Sequence, residues 1–418
     1  MEKSEDTPMT LPNFTESLKK YATLAVETGV QVKPGDTVYL QISTELRDFA
    51  ALIVEAAYQR GAAEVQLWWQ DDAITRLNMQ HEAEERLFTQ SPDVEARFNY
   101  WLDRNAKRIT VTSGDPDNLA GIDAKRIAGF QNGFQKAYGN LINAISNNQI
   151  SWTILGAATP AWAHKVFPDV DVDTAVDQLW AAIFKTTRID QPDPAAAWKQ
   201  HDEMLSTKSA WLNQMQFDAL HYQAPGTDLT VGLPQNHVWE GAGSFNPQGE
   251  EFMANMPTEE VFTAPDNRRI DGTVASTKPL SYAGTILEGM HFTFKDGQVI
   301  KAHAEQGDET LQHLLAIPGA RSLGEVSLVP DPSPISQSGI IFYNTLFDEN
   351  ASDHMALGTA YPFSIEGGID MSVDELKAHG LNVADTHVDF MMGSAEMNID
   401  GITKDGKQIP IFRNGDWA

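Results

Sequence analysis

Side chains able to do metal or acid–base chemistry are concentrated in the second half of this 418-residue chain. Three histidines (His81, His164, His201) precede residue 210 and eight of the 11 follow it. His387-Val388-Asp389 lies in the β-rich run 383–392, where residues i and i+2 of a strand project from one face. An imidazole beside a carboxylate can ligate a divalent metal or serve as an acid–base pair. In so acidic a chain the H-x-D pattern also arises by chance, so alone it says little. Within 344–354, Glu349 precedes His354 by five residues. A loop turning into a helix near Ser352 would aim both at one ion, and the plain alternative is a helix-capping loop. Glu325 stands in Gly324-Glu325-Val326-Ser327-Leu328-Val329, a β-rich run otherwise apolar at alternate positions. A carboxylate there needs a salt bridge or a metal, because burying an isolated charge is very costly. Glu259-Glu260 are adjacent acids, but so are Asp71-Asp72, Glu84-Glu85 and Glu250-Glu251. His81-Glu82-Ala83-Glu84-Glu85 lacks the second histidine of an H-E-x-x-H clamp and reads as a solvated acidic helix face.

Taken together, these segments supply two histidines and at least four carboxylates near strand or loop positions. That inventory suits a dinuclear site with one bridging carboxylate, its ions roughly 3.5–4 Å apart. The chain has no cysteine, which removes disulfides, thiolate zinc sites, iron–sulfur clusters and cysteine nucleophiles. Mixed histidine and carboxylate ligation then favours zinc, cobalt or manganese, with magnesium admissible.

The elements that must position these residues fall into two textures. In the first half, Asn13 with Glu16 resembles a capping pair opening a helix that buries Leu18, Tyr21, Ala22 and Ala25. After the Pro34-Gly35 break, Val38, Leu40 and Ile42 form a β-rich run. Leu46, Phe49, Ala50, Ile53 and Ala57 then recur at helical spacing, with Gly61 suited to a helix C-terminus. Strand patterns return at 64–69, 109–112 and 152–155, and helical ones at 172–187 and 195–215. Such alternation predicts an α/β domain with a mostly parallel, helix-covered sheet. Neither G-x-G-x-x-G nor a Walker P-loop accompanies it. Beyond residue 216, short strands and tight turns predominate, with hairpin signals at Lys295-Asp296-Gly297 and Lys404-Asp405-Gly406. The boundary is therefore expected near residue 212: an α/β domain over 1–212 and an α+β domain carrying the metal site over 213–418.

Charge is skewed the same way. Residues 1–210 carry 20 basic and 29 acidic side chains, and residues 211–418 carry 10 and 29, within a net charge of −28. That field disfavours nucleic acid and anionic membranes as partners. No apolar stretch reaches the roughly 18 residues of a membrane span, and the charged Met1-Glu2-Lys3-Ser4-Glu5-Asp6 start leads into no secretory h-region. A soluble, cytoplasmic protein is expected.

The run Asn255-Met256-Pro257-Thr258-Glu259-Glu260-Val261-Phe262-Thr263-Ala264-Pro265 closely resembles the signature of the aminopeptidase T / aminopeptidase S family of dinuclear metallo-aminopeptidases. Gly324-Glu325-Val326, residues 342–354 and residues 386–389 follow in that family's order and spacing, and the resemblance covers essentially the whole chain. It implies an exopeptidase that removes N-terminal amino acids from peptides with two divalent metal ions per chain. Carried over, Glu259, Glu325, Glu349, His354, His387 and Asp389 look like the metal ligands, with Glu325 the bridge. Glu260 looks like the general base and Tyr361 a donor to the reacting carbonyl. Ser352-Asp353 departs locally from relatives with a cysteine there, which touches no ligand. The resemblance also implies a homodimer. Two other readings use the same inventory: a different dinuclear metallohydrolase (an amidase or phosphoesterase), or a non-catalytic metal or peptide binder.

Overall fold

The computed structural model describes residues 11–283 and 285–418. The chain forms two compact units. The first comprises the chain up to Lys199 together with Phe245–Pro257, and the second comprises Gln200–Ser244 and Thr258–Ala418. A single cut near residue 212 does not express this division, because the chain returns to the first unit for 13 residues after leaving it.

The first unit is α/β. Strands β1 (Thr37–Ser43), β2 (Glu64–Gln70), β3 (Lys107–Thr112), β4 (Trp152–Gly156) and β5 (Asn255–Met256) form a sheet in the order β2-β1-β3-β4-β5. Every pairing in it is parallel, as helix-bearing crossovers require. Helices α1 (Phe14–Leu24), α2 (Arg47–Gln59), α3 (Pro92–Leu102) and α4 (Ala124–Ser146) belong to this unit. Asn13 stands at the N-cap of α1 but adopts a left-handed conformation and makes no side-chain capping bond, contrary to the capping pair expected there. Burial holds the helix instead. Tyr21 stacks on Phe49 of α2 at 5.4 Å and donates its hydroxyl to the Gly156 carbonyl at 3.0 Å. Burying each such ring contributes about 1.5–3 kcal/mol.

In the second unit, β6 (Val261–Thr263), β7 (Leu323–Leu328), β8 (His354–Gly358) and β9 (His387–Met391) form an antiparallel sheet in the order β9-β8-β7-β6, edged by Glu240–Gly241. An eight-stranded antiparallel sheet includes His291–Lys295 and Gln298–His303, joined at Asp296-Gly297, both with positive φ. That is the two-residue turn a hairpin of this twist needs. Alternation makes the smaller sheet two-faced. Val261, Val326, Leu328, Met355, Leu357, Val388 and Phe390 enter one hydrophobic core, leaving the other face for different residues. Ser352 is extended and ends the helical turns of Thr345–Asp348 and Glu349–Ala351 rather than opening a helix as expected, and His354 opens β8.

Residues 245–257 are tied into the first unit by charge as well as by β5. Glu250 lies 2.7 Å from Lys33 and 3.0 Å from Lys107, a lysine that is only 3% exposed. The bond from Lys33, followed by those from Lys107 and Asn246, holds the Glu250 carboxyl down at about 2. A carboxylate depressed below its ordinary value stabilises the fold at neutral pH, and that stabilisation fades as pH falls below the ordinary value. Glu250→Gln should therefore cost about 2–3 kcal/mol at pH 7. In urea unfolding, the gap to wild type should narrow between pH 4.5 and pH 3, and a constant gap would contradict this account.

A carboxylate and histidine cluster on one sheet face

Antiparallel partners directly opposite each other share a face. One row across the sheet reads Glu325–Ala356–Asp389, and a second reads Phe262–Ser327–His354–Met391. His387 lies opposite Gly358. Glu325, His354, His387 and Asp389 therefore all stand on the face that the apolar core leaves free. A register shift between Leu323 and Glu325 matters here. In a regular strand Leu323 and Glu325 would share a face, whereas the irregularity at Gly324 sends Leu323 to the core and Glu325 to the cluster. Gly324 has no room for more, since a Cβ there would come within 2.2 Å of the Thr359 carbonyl oxygen. Gly358 has φ +119°, and a Cβ on it would lie 2.1 Å from the Thr386 oxygen. On β8, Ala356 between Glu325 and Asp389 and Gly358 opposite His387 fill little space, so the cluster's side chains converge over that strand.

Two groups of donor atoms result, each with its atoms within 4.8 Å of one another: Glu260, Glu325 and His354, and Glu325, His387 and Asp389. Glu325 belongs to both. His354 Nε2 lies 3.1 Å from Glu260 Oε2 and 3.4 Å from Glu325 Oε1. His387 Nε2 lies 3.5 Å from both Glu325 Oε2 and Asp389 Oδ1. Each ring donates from Nδ1 to a backbone carbonyl, His354 to Ser352 at 3.2 Å and His387 to Thr359 at 2.8 Å. These bonds fix the tautomer and turn both Nε2 atoms toward the carboxylates.

Electrostatics are severe because the groups are buried. Burial, with Asp389, Glu260 and Glu325 adding to it, pushes the Glu349 carboxyl well above its ordinary value. Burial opposes charge on His354, but its bonds with Glu260 and Glu325 outweigh that and hold its pKa well above normal. His387 is raised likewise against its burial, with Tyr361 and Asp389 as the main causes. Asp389 Oδ1 is buried and receives no hydrogen bond. Two imidazole nitrogens held in one tautomer, several crowded carboxylates and an oxygen left unbonded form a donor set that fits divalent cations. Oxygen and nitrogen donors without sulfur match the metals expected from the sequence.

The adjacent glutamates diverge. Glu260 Oε2 meets His354 and accepts a hydrogen bond from Ser327 Oγ at 2.8 Å, whereas Glu259 Oε2 lies 3.4 Å from His201 Nε2. Both stand just ahead of β6, where residues 258–260 belong to no regular element. Glu349 follows the turn Thr345–Asp348 and is electrostatically linked to the cluster. The Tyr361 ring lies 5.0 Å from the His387 ring. Next to the His387 charge, which favours ionisation, burial and the surrounding carboxylates keep the Tyr361 phenol above its usual range.

Sequence reading missed Ser327, His201 and Asn350. Asn350 is fully buried, accepts from the Glu259 backbone N–H at 2.8 Å and donates to the Leu346 carbonyl at 3.0 Å. It joins the segment bearing Glu259 to the one bearing Glu349. An asparagine beside Glu349 carried no motif, so only the fold reveals the link.

Residues 14–417 match the family described as thermophilic metalloprotease (M29). The chain is 53% identical over 412 residues to aminopeptidase PepS of Streptococcus thermophilus, covering 98% of this chain and 100% of that one. It is 52% identical over 410 residues to aminopeptidase AmpS of Bacillus subtilis (strain 168), with 98% and 100% covered. The solved structure of wild-type AmpT from Thermus thermophilus superposes with a TM-score of 0.91 at 38% identity, over 97% of this chain and 100% of that one. With nearly its whole length matched, the chain belongs to the M29 family of metalloproteases.

Proposed function

We propose that this protein is a metallo-aminopeptidase that hydrolyses N-terminal amino acids from peptides at a dinuclear divalent-metal centre in its second unit. The observation that carries this reading is the pair of converging donor groups sharing Glu325. Membership of a metalloprotease family, and the aminopeptidase names of its relatives, support the same reaction class. Glu325, His354, His387 and Asp389 would hold the ions, and Glu325, common to both donor groups, would be the bridge. Glu349, electrostatically linked to the cluster, would be a further ligand. The ligand role of Glu259 rests on the family resemblance alone, because its carboxylate faces His201. Zinc, cobalt or manganese, with magnesium admissible, are the metals proposed. A homodimer in the cytoplasm is the state proposed for the protein. No described helix is long and apolar enough to cross a membrane.

Divalent ions held there would supply Lewis acidity and would lower the pKa of water at the site to roughly 7. The chain's own residues do the rest. Glu260, held by Ser327, takes the water's proton and returns it to the leaving amine. Tyr361 keeps its proton and donates to the carbonyl oxygen as negative charge develops on it. The carboxylates around the centre favour the substrate's free N-terminus. The ion-pair partners of Glu260, Glu325 and Asp389 are histidines, which offer no arginine or lysine clamp of the kind a phosphoesterase would use.

Unblocked peptides should release free amino acids, N-acetylated ones should not, and chelator should abolish release. Equal cleavage of both substrates would overturn the aminopeptidase reading. Glu260→Gln should keep its two ions by elemental analysis and lose at least about 10²-fold in kcat. Glu259→Gln should lose metal stoichiometry, and retention of both ions would remove Glu259 from the ligand set. Ala356→Leu should fold but bind its divalent ions at least tenfold more weakly, since the added side chain enters the space over β8.

A further inference from the structure

Residues 258–260 bring two carboxylates into the interior of the second unit without the support of a regular element. Thr258, Glu259 and Glu260 are all buried. No strand pairing fixes their direction until Val261, which pairs with Leu328 and Gly241. Two side chains from elsewhere in the chain hold them instead. His201 Nε2 donates to the Thr258 carbonyl oxygen at 2.7 Å, and the Glu259 N–H donates to Asn350 Oδ1 at 2.8 Å. That carbonyl and that N–H are the two ends of one peptide group. The group is planar, so bonds at both ends fix the orientation of its plane and the course of the chain beyond it.

His201 is held firmly enough to act as such an anchor. It is buried and lies on the helix Pro194–Met215, where Leu205 and Leu212 share its face. Both leucines belong to the hydrophobic core of the second unit. Asn213 of the same helix exchanges hydrogen bonds with the Trp239 backbone at 2.7 and 2.9 Å, and Asp202 accepts from the Gly243 N–H at 2.8 Å. Asn350, the opposing anchor, is fully buried and donates to the Leu346 carbonyl. What the two anchors set is the aim of both glutamates: Glu260 Oε2 stands 3.1 Å from His354 Nε2, and Glu259 Oε2 stands 3.4 Å from His201 Nε2. A buried carbonyl left without a donor is strongly disfavoured. Without His201 the peptide group would turn toward another partner and carry both carboxylates with it.

We propose that His201 is a positioning residue for the divalent-metal centre: its bond to the Thr258 carbonyl, opposed by Asn350 at the other end of the same peptide group, sets the directions in which Glu259 and Glu260 enter the site. This role rests on the proposed function, in which Glu259 holds metal and Glu260 moves the proton. Ion binding therefore reads the aim of Glu259, and turnover at saturating metal reads the aim of Glu260.

Full-length protein stripped with chelator and titrated with zinc tests this. His201→Leu and His201→Asn, the second with an amide too short to reach the carbonyl, should bind zinc at least about tenfold more weakly than wild type. At saturating zinc their kcat on an unblocked peptide should fall at least about tenfold, with KM little changed. His201→Gln, whose amide nitrogen can stand where Nε2 does, should restore both quantities to near wild type. A merely structural role would instead lower the urea midpoint of the chelated protein and leave zinc affinity untouched. If His201→Leu does not fold, the comparison of His201→Asn with His201→Gln decides. Wild-type zinc affinity and kcat in the leucine and asparagine variants, or equal losses in the glutamine variant, overturn the proposal. Failure of the wild type itself to bind zinc would sink the metal-centre reading. Zinc binding without peptide hydrolysis would sink the aminopeptidase reading alone, and the comparison of zinc affinities would stand.

Discussion

Several carboxylates buried within a few ångströms of one another cannot all stay ionised without positive charge among them. Glu260, Glu325, Glu349 and Asp389 meet that condition in the second unit, with His354 and His387 inserted between them. In the protein alone, the imidazoles carry the balancing charge, which is why both are held well above the ordinary histidine range. Divalent ions would take over that role and release the protons. Each Nδ1 hydrogen stays with its carbonyl partner throughout, so the rings need not turn when their Nε2 atoms change from proton to metal.

The backbone serves this arrangement by parity. One antiparallel sheet offers an apolar face to the core and a functional face to the cluster, and the division follows from alternation alone. The exception is at Gly324, where an irregular register re-aims Glu325. Hydrogen bonds then secure what strands cannot: Asp348 accepts from the Phe342 and Asn344 backbone N–H groups at 2.8 and 3.0 Å, shaping the loop that carries Glu349. Asn350 binds that loop to Glu259.

Much of this was legible in the sequence, for identifiable reasons. α2 was readable because it buries a periodic face, β1 because its apolar run is buried, and His387-Val388-Asp389 because strand spacing fixes two residues on one side. The hairpin at Asp296-Gly297 was readable from turn chemistry. What escaped depends on contacts distant in sequence. Nothing local separates the roles of Glu259 and Glu260, whose surroundings come from His201 and from Ser327 on β7. The strand nature of residues after Ser352 was hidden because serine and aspartate are equally common at helix starts.

The return of residues 245–257 to the first unit also bears on how the protein can be divided. The fifth strand of the parallel sheet is encoded downstream of more than 40 residues of the second unit. A gene fragment ending near residue 212 would leave β4 as a bare sheet edge and Lys107 without Glu250. On a ribosome, the first unit would remain unfinished until part of the second had already emerged. Its assembly is thereby coupled in time to the synthesis of the unit that carries the carboxylate and histidine cluster.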